Sequence, residues 1–189
     1  DGLRGRVWDG FASRRALVRR HIALVGFMGA GKTTIGRELA ELMGRPFIDT
    51  DEAIEANAGS TVPAIFARRG EAAFRDLERA ALAKAARPDR RESVIAVGGG
   101  AVLDPANRQV LSDSCRTVWL WVPAETAVSR IDVATRPVLD RSAPLASAAG
   151  TLAARLPLYA AASDLIVNAA KGDARNIAQR IRNEMGQTL

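Results

Sequence analysis

From His21 onward, short apolar runs take turns with longer segments in which apolar positions recur at helical spacing. The apolar runs within HIALVGF at 21–27, RPFIDTD at 45–51, ESVIAVGGG at 92–100, RTVWLWV at 116–122 and DLIVN at 164–168 are continuous rather than alternating. A strand of that kind is covered on both faces. Between them the spacing predicts a helix over 33–44, one near Glu52 to Asn57, two between Val62 and Ala86, one over Pro105 to Ser112, and one from Ala124 to about Ile131. Helices over Thr151 to Ala162 and Ala174 to Met185 complete the series, and residues 130–149 form a broken stretch without period. Five strands alternating with helices predict an α/β domain of three layers around a mainly parallel sheet. Residues 1–20 lack a period and read as a basic arm or linker outside the domain at 21–189, although Trp8 and Phe11 leave room for a packed segment.

Composition narrows this little and excludes more. With 189 residues, 48% of them hydrophobic and 25% charged, the chain fits one globular domain with a full core. No apolar run approaches the roughly 18 residues that a membrane span needs, so no membrane role is expected. Cys115 and His21 stand alone, which excludes a Cys/His metal cage and an internal disulfide. A cytoplasmic protein is expected from that cysteine usage. The chain begins at Asp1 rather than at a methionine, which leaves it open to being a piece of a longer protein. The net charge of +6 suits either nucleic acid or an anionic small molecule. The basic residues gather in the arm, at Arg68 and Arg69, and around 84–91, with few aromatics among them, so a base-stacking surface is not expected.

The chemistry starts where the first strand ends. Gly26 to Thr33, GFMGAGKT, fits the pattern G-x-x-x-x-G-K-[ST] and lies between a strand and a helix, as a phosphate-cradling loop must. Glycines there let successive backbone N–H groups face phosphate oxygens, and the helix adds its positive end. Gly29, Ala30, Gly31, Lys32, Thr33 and Thr34 are therefore expected to hold a nucleoside triphosphate, ATP above all. Lys32 would neutralise the β- and γ-phosphates, Thr33 would offer a hydroxyl to Mg²⁺, and Thr34 would reach the α-phosphate.

Asp49 and Asp51 lie two apart at the end of the second strand, so both would project to one side if the strand continues. Asp49 would hold the metal while Asp51 meets an acceptor hydroxyl as candidate base; an N-cap role for Asp51 is the plain alternative. Gly98, Gly99 and Gly100 end the third strand, where they permit close approach to a ligand or simply make a turn.

Taken in order, GFMGAGKTT, FIDTD, GSTVPAIFARRGEAAFRDLE, VGGGAV, RPVL and RLPLY make the chain resemble the shikimate kinases over residues 21–186. The resemblance implies a sheet ordered 2-3-1-4-5 and transfer of the ATP γ-phosphate to the 3-hydroxyl of shikimate, on the route to chorismate and the aromatic amino acids. It implies a substrate-binding insertion over about 50–88 and a lid over about 130–146, in a protein expected to act as a monomer. It also assigns roles: Asp51 to the shikimate hydroxyls, Arg75 and Arg155 to its carboxylate, Glu78 to steadying Arg75, and Gly98 to Gly100 to the pocket lining. Arg136 would meet the transferring phosphoryl group from the lid, and Arg130 would stack on adenine. IDVAT at 131–135 departs from the family, whose lids are often more basic or richer in glycine. Two other readings use the same residues. One is another small kinase of this loop type, such as a gluconate kinase relative; the other is a ligand-sensing domain severed from a DNA-binding partner.

Overall fold

The computed structural model describes residues 19–136 and 138–186; the expected arm, with Trp8 and Phe11, lies outside them except for Arg19 and Arg20. Strands His21–Val25 (β1), Phe47–Asp49 (β2), Val94–Ala96 (β3), Cys115–Trp121 (β4) and Leu165–Asn168 (β5) form one sheet in the order β2-β3-β1-β4-β5, and all of its pairings are parallel. β1 is buried at every position and sits at the centre, which is why its sequence carries no polar alternation. Its register, Ile22 with Val94 and Leu24 with Val118, brings the ends of β1 and β3 to one rim, where the phosphate loop and the glycine triplet lie side by side.

Helices Lys32–Met43 (α1) and Ala174–Gly186 (α7) pack together on one side of the sheet. Val62–Ala85 (α3), Pro105–Ser114 (α4) and Pro144–Ala162 (α6) meet on the other, with the short Ala124–Ser129 helix (α5) against α6. The remaining helix, Thr50–Ala58 (α2), pairs with α3, and the two bury a small core of their own from Ile54, Ile65 and Phe74. This satellite cluster stands apart from the main core, which α3 enters further along through Leu82 and Ala85.

Two helical stretches are predicted between Val62 and Ala86, and α3 is interrupted at Gly70, whose φ of 78° and ψ of 171° only glycine adopts readily. The stretch up to Ala149 differs from its expectation. α6 begins at Pro144, at the first helical position where proline's fixed φ and missing N–H do no harm. Small residues over 146–150 hide the helical period there. The helix continues through Pro157, which leaves one carbonyl of the preceding turn without its usual donor.

The lone cysteine and histidine are structural. Cys115 is fully buried and burial pushes its thiol up to about 12. His21 is buried at the start of β1, with its ring between the Arg87 carbonyl at 3.1 Å and the Ser93 N–H at 3.3 Å. Among the described residues no helix is long and apolar enough to cross a membrane.

Candidate active site

The phosphate loop takes its shape from glycines at positive φ: Gly26, Gly29 and Gly31 stand at 147°, 73° and 84°. A side chain at Gly29 would run into the Ala127 backbone of α5. Gly31 caps α1 without a side-chain acceptor, so the first N–H groups of the helix face outward for an anion. Lys32 folds back over the loop, donating to the carbonyls of Gly26 and Phe27 at 2.9 and 3.1 Å. Burial brings its ammonium down to about 8, against the upward pull of Asp51 and Asp49. Thr33 Oγ1 donates to Asp49 Oδ2 at 2.7 Å. Gly29, Gly31, Lys32, Thr33 and Thr34 line a hollow of about 330 Å³. Ala30 does not: it is buried in the core, and its N–H is bonded to the Phe27 carbonyl.

Strand β2 stops at Asp49, so Asp49 and Asp51 do not project as alternate residues of one strand. Asp49 is itself the N-cap of α2, accepting from the N–H groups of Asp51 and Glu52, and Asp51 sits in the first helical turn. The cap role weighed for Asp51 thus falls to its neighbour. Asp51 Oδ1 is buried without a protein partner, and burial raises its carboxyl above the ordinary range, helped by Asp49.

A second hollow, of about 540 Å³, adjoins the first. Arg75, Glu78, Gly98, Gly99, Gly100 and Arg155 all line it. Arg75 Nη1 donates to Glu78 Oε2 at 2.8 Å, the three-residue pairing expected along a helix face. Its other edge binds Glu71 Oε1, a partner the sequence reading missed although it lies four residues earlier. Glu78 is 1% exposed and its Oε1 has no partner; burial lifts its carboxyl, opposed by Arg75. Close packing explains the triplet: a methyl on Gly98 would overlap Glu78, and one on Gly100 would overlap the Arg75 guanidinium. The N–H of Gly98 is taken by Thr50 Oγ1 at 3.1 Å. Val62, Pro63, Phe66 and Phe74 form an apolar wall that the sequence reading also missed, with the two phenylalanine rings 4.7 Å apart. The signal was present in VPAIF, whose apolar residues exceed what one buried helix face requires.

The two hollows share Met28, Thr33, Asp49, Asp51, Gly99 and Arg136. Arg136 therefore stands at the doorway between them, with its Nε buried and unpartnered. Asp132 caps the 3-10 turn Val133–Thr135 that precedes it, while Ile131 and Val133 pack on the main core. That accounts for IDVAT: its acid is a cap and its apolar residues are anchors. Arg130 reaches the edge of the smaller hollow, but its guanidinium binds the carbonyls of Ala169 and Ala170 at 3.0 and 3.1 Å. It also forms the C-cap of α5.

The sequence pattern that defines the family described as Shikimate kinase matches residues 28–186, which takes in both hollows. The chain belongs to the shikimate kinase family. Among its curated relatives, the shikimate kinase of Halorhodospira halophila is 45% identical over 161 residues, covering 85% of this chain and 90% of its own. That of Acinetobacter baylyi is 43% identical over 162 residues, covering 85% and 89%. The solved shikimate kinase from Acinetobacter baumannii, in complex with shikimate, matches with a TM-score of 0.86 at 37% identity, over 93% of this chain and 98% of that one. A shikimate kinase framework thus carries the loop, the arginine pair and the 131–136 segment described above. A deoxyadenosine kinase from M. mycoides shares the fold at a TM-score of 0.57 and 18% identity.

Proposed function

We propose that the chain transfers the γ-phosphoryl group of ATP to the 3-hydroxyl of shikimate, as a monomeric cytoplasmic enzyme of aromatic amino-acid biosynthesis. The observation that supports this reading is the pair of hollows joined at Asp51, Gly99 and Arg136, the smaller lined by the phosphate loop and Lys32 and the larger by Arg75 and Arg155.

In the smaller hollow, the loop N–H groups and Lys32 take the phosphates, and Thr34 lies beside them at the helix start. In the larger one, Arg75 and Arg155 are charged groups of fixed planar shape, suited to a carboxylate. The wall of Val62, Phe66 and Phe74 faces the apolar part of the ring, and the unpartnered Asp51 Oδ1 accepts from the reacting hydroxyl. Phosphoryl transfer through a loose transition state asks chiefly for alignment and for positive charge at the moving oxygens. Lys32 supplies that charge from the smaller hollow and Arg136 from the doorway. Asp51 orients the hydroxyl and takes its proton as the new O–P bond forms.

The donor set also fits magnesium: the Thr33 hydroxyl and the Asp49 carboxylate, 2.7 Å apart, are the hard oxygens that Mg²⁺ accepts alongside phosphate oxygens. Bound there, it would draw charge off the triphosphate.

A coupled assay of ADP release with shikimate, quinate and gluconate offered separately tests the reading. Turnover is expected with shikimate well above the other two. Preference for gluconate, or ADP release indifferent to the acceptor, would contradict it.

A further inference from the structure

Tyr159 is the chain's single tyrosine, and it lies fully buried on α6 with its ring stacked on Trp119 of β4, centroids 5.7 Å apart. A phenol placed that deep needs a partner for its hydroxyl. The hydroxyl donates to the Gly99 carbonyl at 2.5 Å. The same carbonyl accepts from Arg155 Nη1 at 3.2 Å. Four residues apart on one helix face, the two side chains converge on a single acceptor.

That acceptor is a pivot of the site. Gly99 lines both hollows, and an added methyl there would lie 3.4 Å from the Gly26 carbonyl oxygen and 3.5 Å from Met28 N, so its backbone rests on the phosphate loop. The next residue, Gly100, backs onto the Arg75 guanidinium. The glycine turn is therefore held between the phosphate loop and the two arginines of the acceptor hollow. Because the peptide is planar and trans, fixing the Gly99 carbonyl toward α6 also fixes the Gly100 N–H on the opposite side.

A guanidinium beside a poorly satisfied buried carbonyl is drawn onto it, since a charged donor makes the stronger bond. Here the phenol holds the shorter contact and Arg155 the longer one. Arg155 also makes no ion pair among the described residues, whereas Arg75 makes two. Its charge remains directed at the larger hollow, which it lines. We propose that Tyr159 is a positioning residue for the acceptor's carboxylate: by occupying the Gly99 carbonyl, its hydroxyl keeps the Arg155 guanidinium turned toward the substrate. This rests on the reading of the larger hollow as the shikimate site. Burial pushes the phenol up to about 12, so it remains a donor at any working pH.

Tyr159→Phe removes one oxygen and keeps the ring on Trp119. The KM for shikimate is expected to rise about tenfold while the KM for ATP changes by less than about twofold, the effect of losing one hydrogen bond that orders a charged group. Ser163→Ala serves as the control, because it removes a hydroxyl that bonds the main-chain carbonyl of Tyr159 at 2.6 Å and leaves the phenol alone. It is expected to change neither KM. An unchanged shikimate KM in Tyr159→Phe, or both KM values rising together, overturns the proposal. Should that variant fail to fold, 3,5-difluorotyrosine enters at this position only and acidifies the phenol. The shikimate KM must then begin to rise at a lower pH than in the ordinary enzyme, and coincident profiles overturn the proposal. A wild-type enzyme that does not phosphorylate shikimate fails one step earlier and overturns the reading of the site itself.

Discussion

Lys32 is a residue whose charge state the fold makes sensitive to pH. Burial disfavours its ammonium and brings it to about 8 in the free protein, so above that pH the phosphate loop loses its cation. A bound triphosphate reverses the balance by stabilising the charged form. The expected outcome is a kcat/KM for ATP that falls as pH rises through about 8, while kcat stays level to higher pH; parallel profiles would show that Lys32 does not titrate in the free enzyme. At this scale the sequence spoke clearly for the loop, because glycines, lysine and threonine at fixed spacing have few other uses. It spoke less clearly at Asp49 and Asp51. Strand and helix readings of FIDTD differ by one residue, and that residue decides which aspartate becomes the cap. Arg130, expected to stack on adenine, reaches the smaller hollow, but its binding to the carbonyls of Ala169 and Ala170 depends on where β5 ends, which no local pattern announces.

Among the elements, α3 carries the largest consequence for specificity. Its first half brings Val62 and Phe66 to the larger hollow and its second half brings Arg75 and Glu78, with Gly70 setting the angle between them. Gly70 is exposed, and a methyl there would meet nothing within 4 Å, so any effect of substitution comes from its backbone alone. Gly70→Ala is expected to destabilise the protein by about 1–3 kcal/mol in chemical denaturation, the strain of a φ/ψ region reserved for glycine. It should also raise the KM for shikimate without raising that for ATP, since the halves that move both face the acceptor. Loss of ATP affinity instead would mean that the bend serves the phosphate loop. The two halves of α3 were legible as two helical stretches, whereas the start of α6 was hidden by a run of small residues that carries no amphipathic period.

The molecule as a whole divides its labour across the rim of one parallel sheet. The strand order places β3 beside β1, so the glycine triplet and the phosphate loop end at the same level and their hollows share a wall. Alternating strands and helices made the layered fold readable from the chain, and the strand order came with the family resemblance. The shared wall was not readable from either, because it is made by residues from the phosphate loop, β2, α2, the triplet and Arg136 that meet only in three dimensions. Much of the positive charge stays at the surface in pairs such as Arg87 with Asp89, while Lys32, Arg75, Arg136 and Arg155 face the two hollows.

The central claim is that one hollow binds the triphosphate and the other the carboxylate, each with its own cations. Calorimetric titration of Arg75→Ala with shikimate and, separately, with a non-hydrolysable ATP analogue tests it most directly. Removing Arg75 leaves Glu78 buried without its cation, and since burial already lifts that carboxyl, it is expected to take up a proton rather than unfold the helix. Shikimate binding should weaken by at least about a hundredfold, the loss of a bidentate charged contact, while the ATP analogue binds within about threefold of the wild-type protein. Equal weakening of both ligands, or shikimate binding that survives the substitution, would contradict the account.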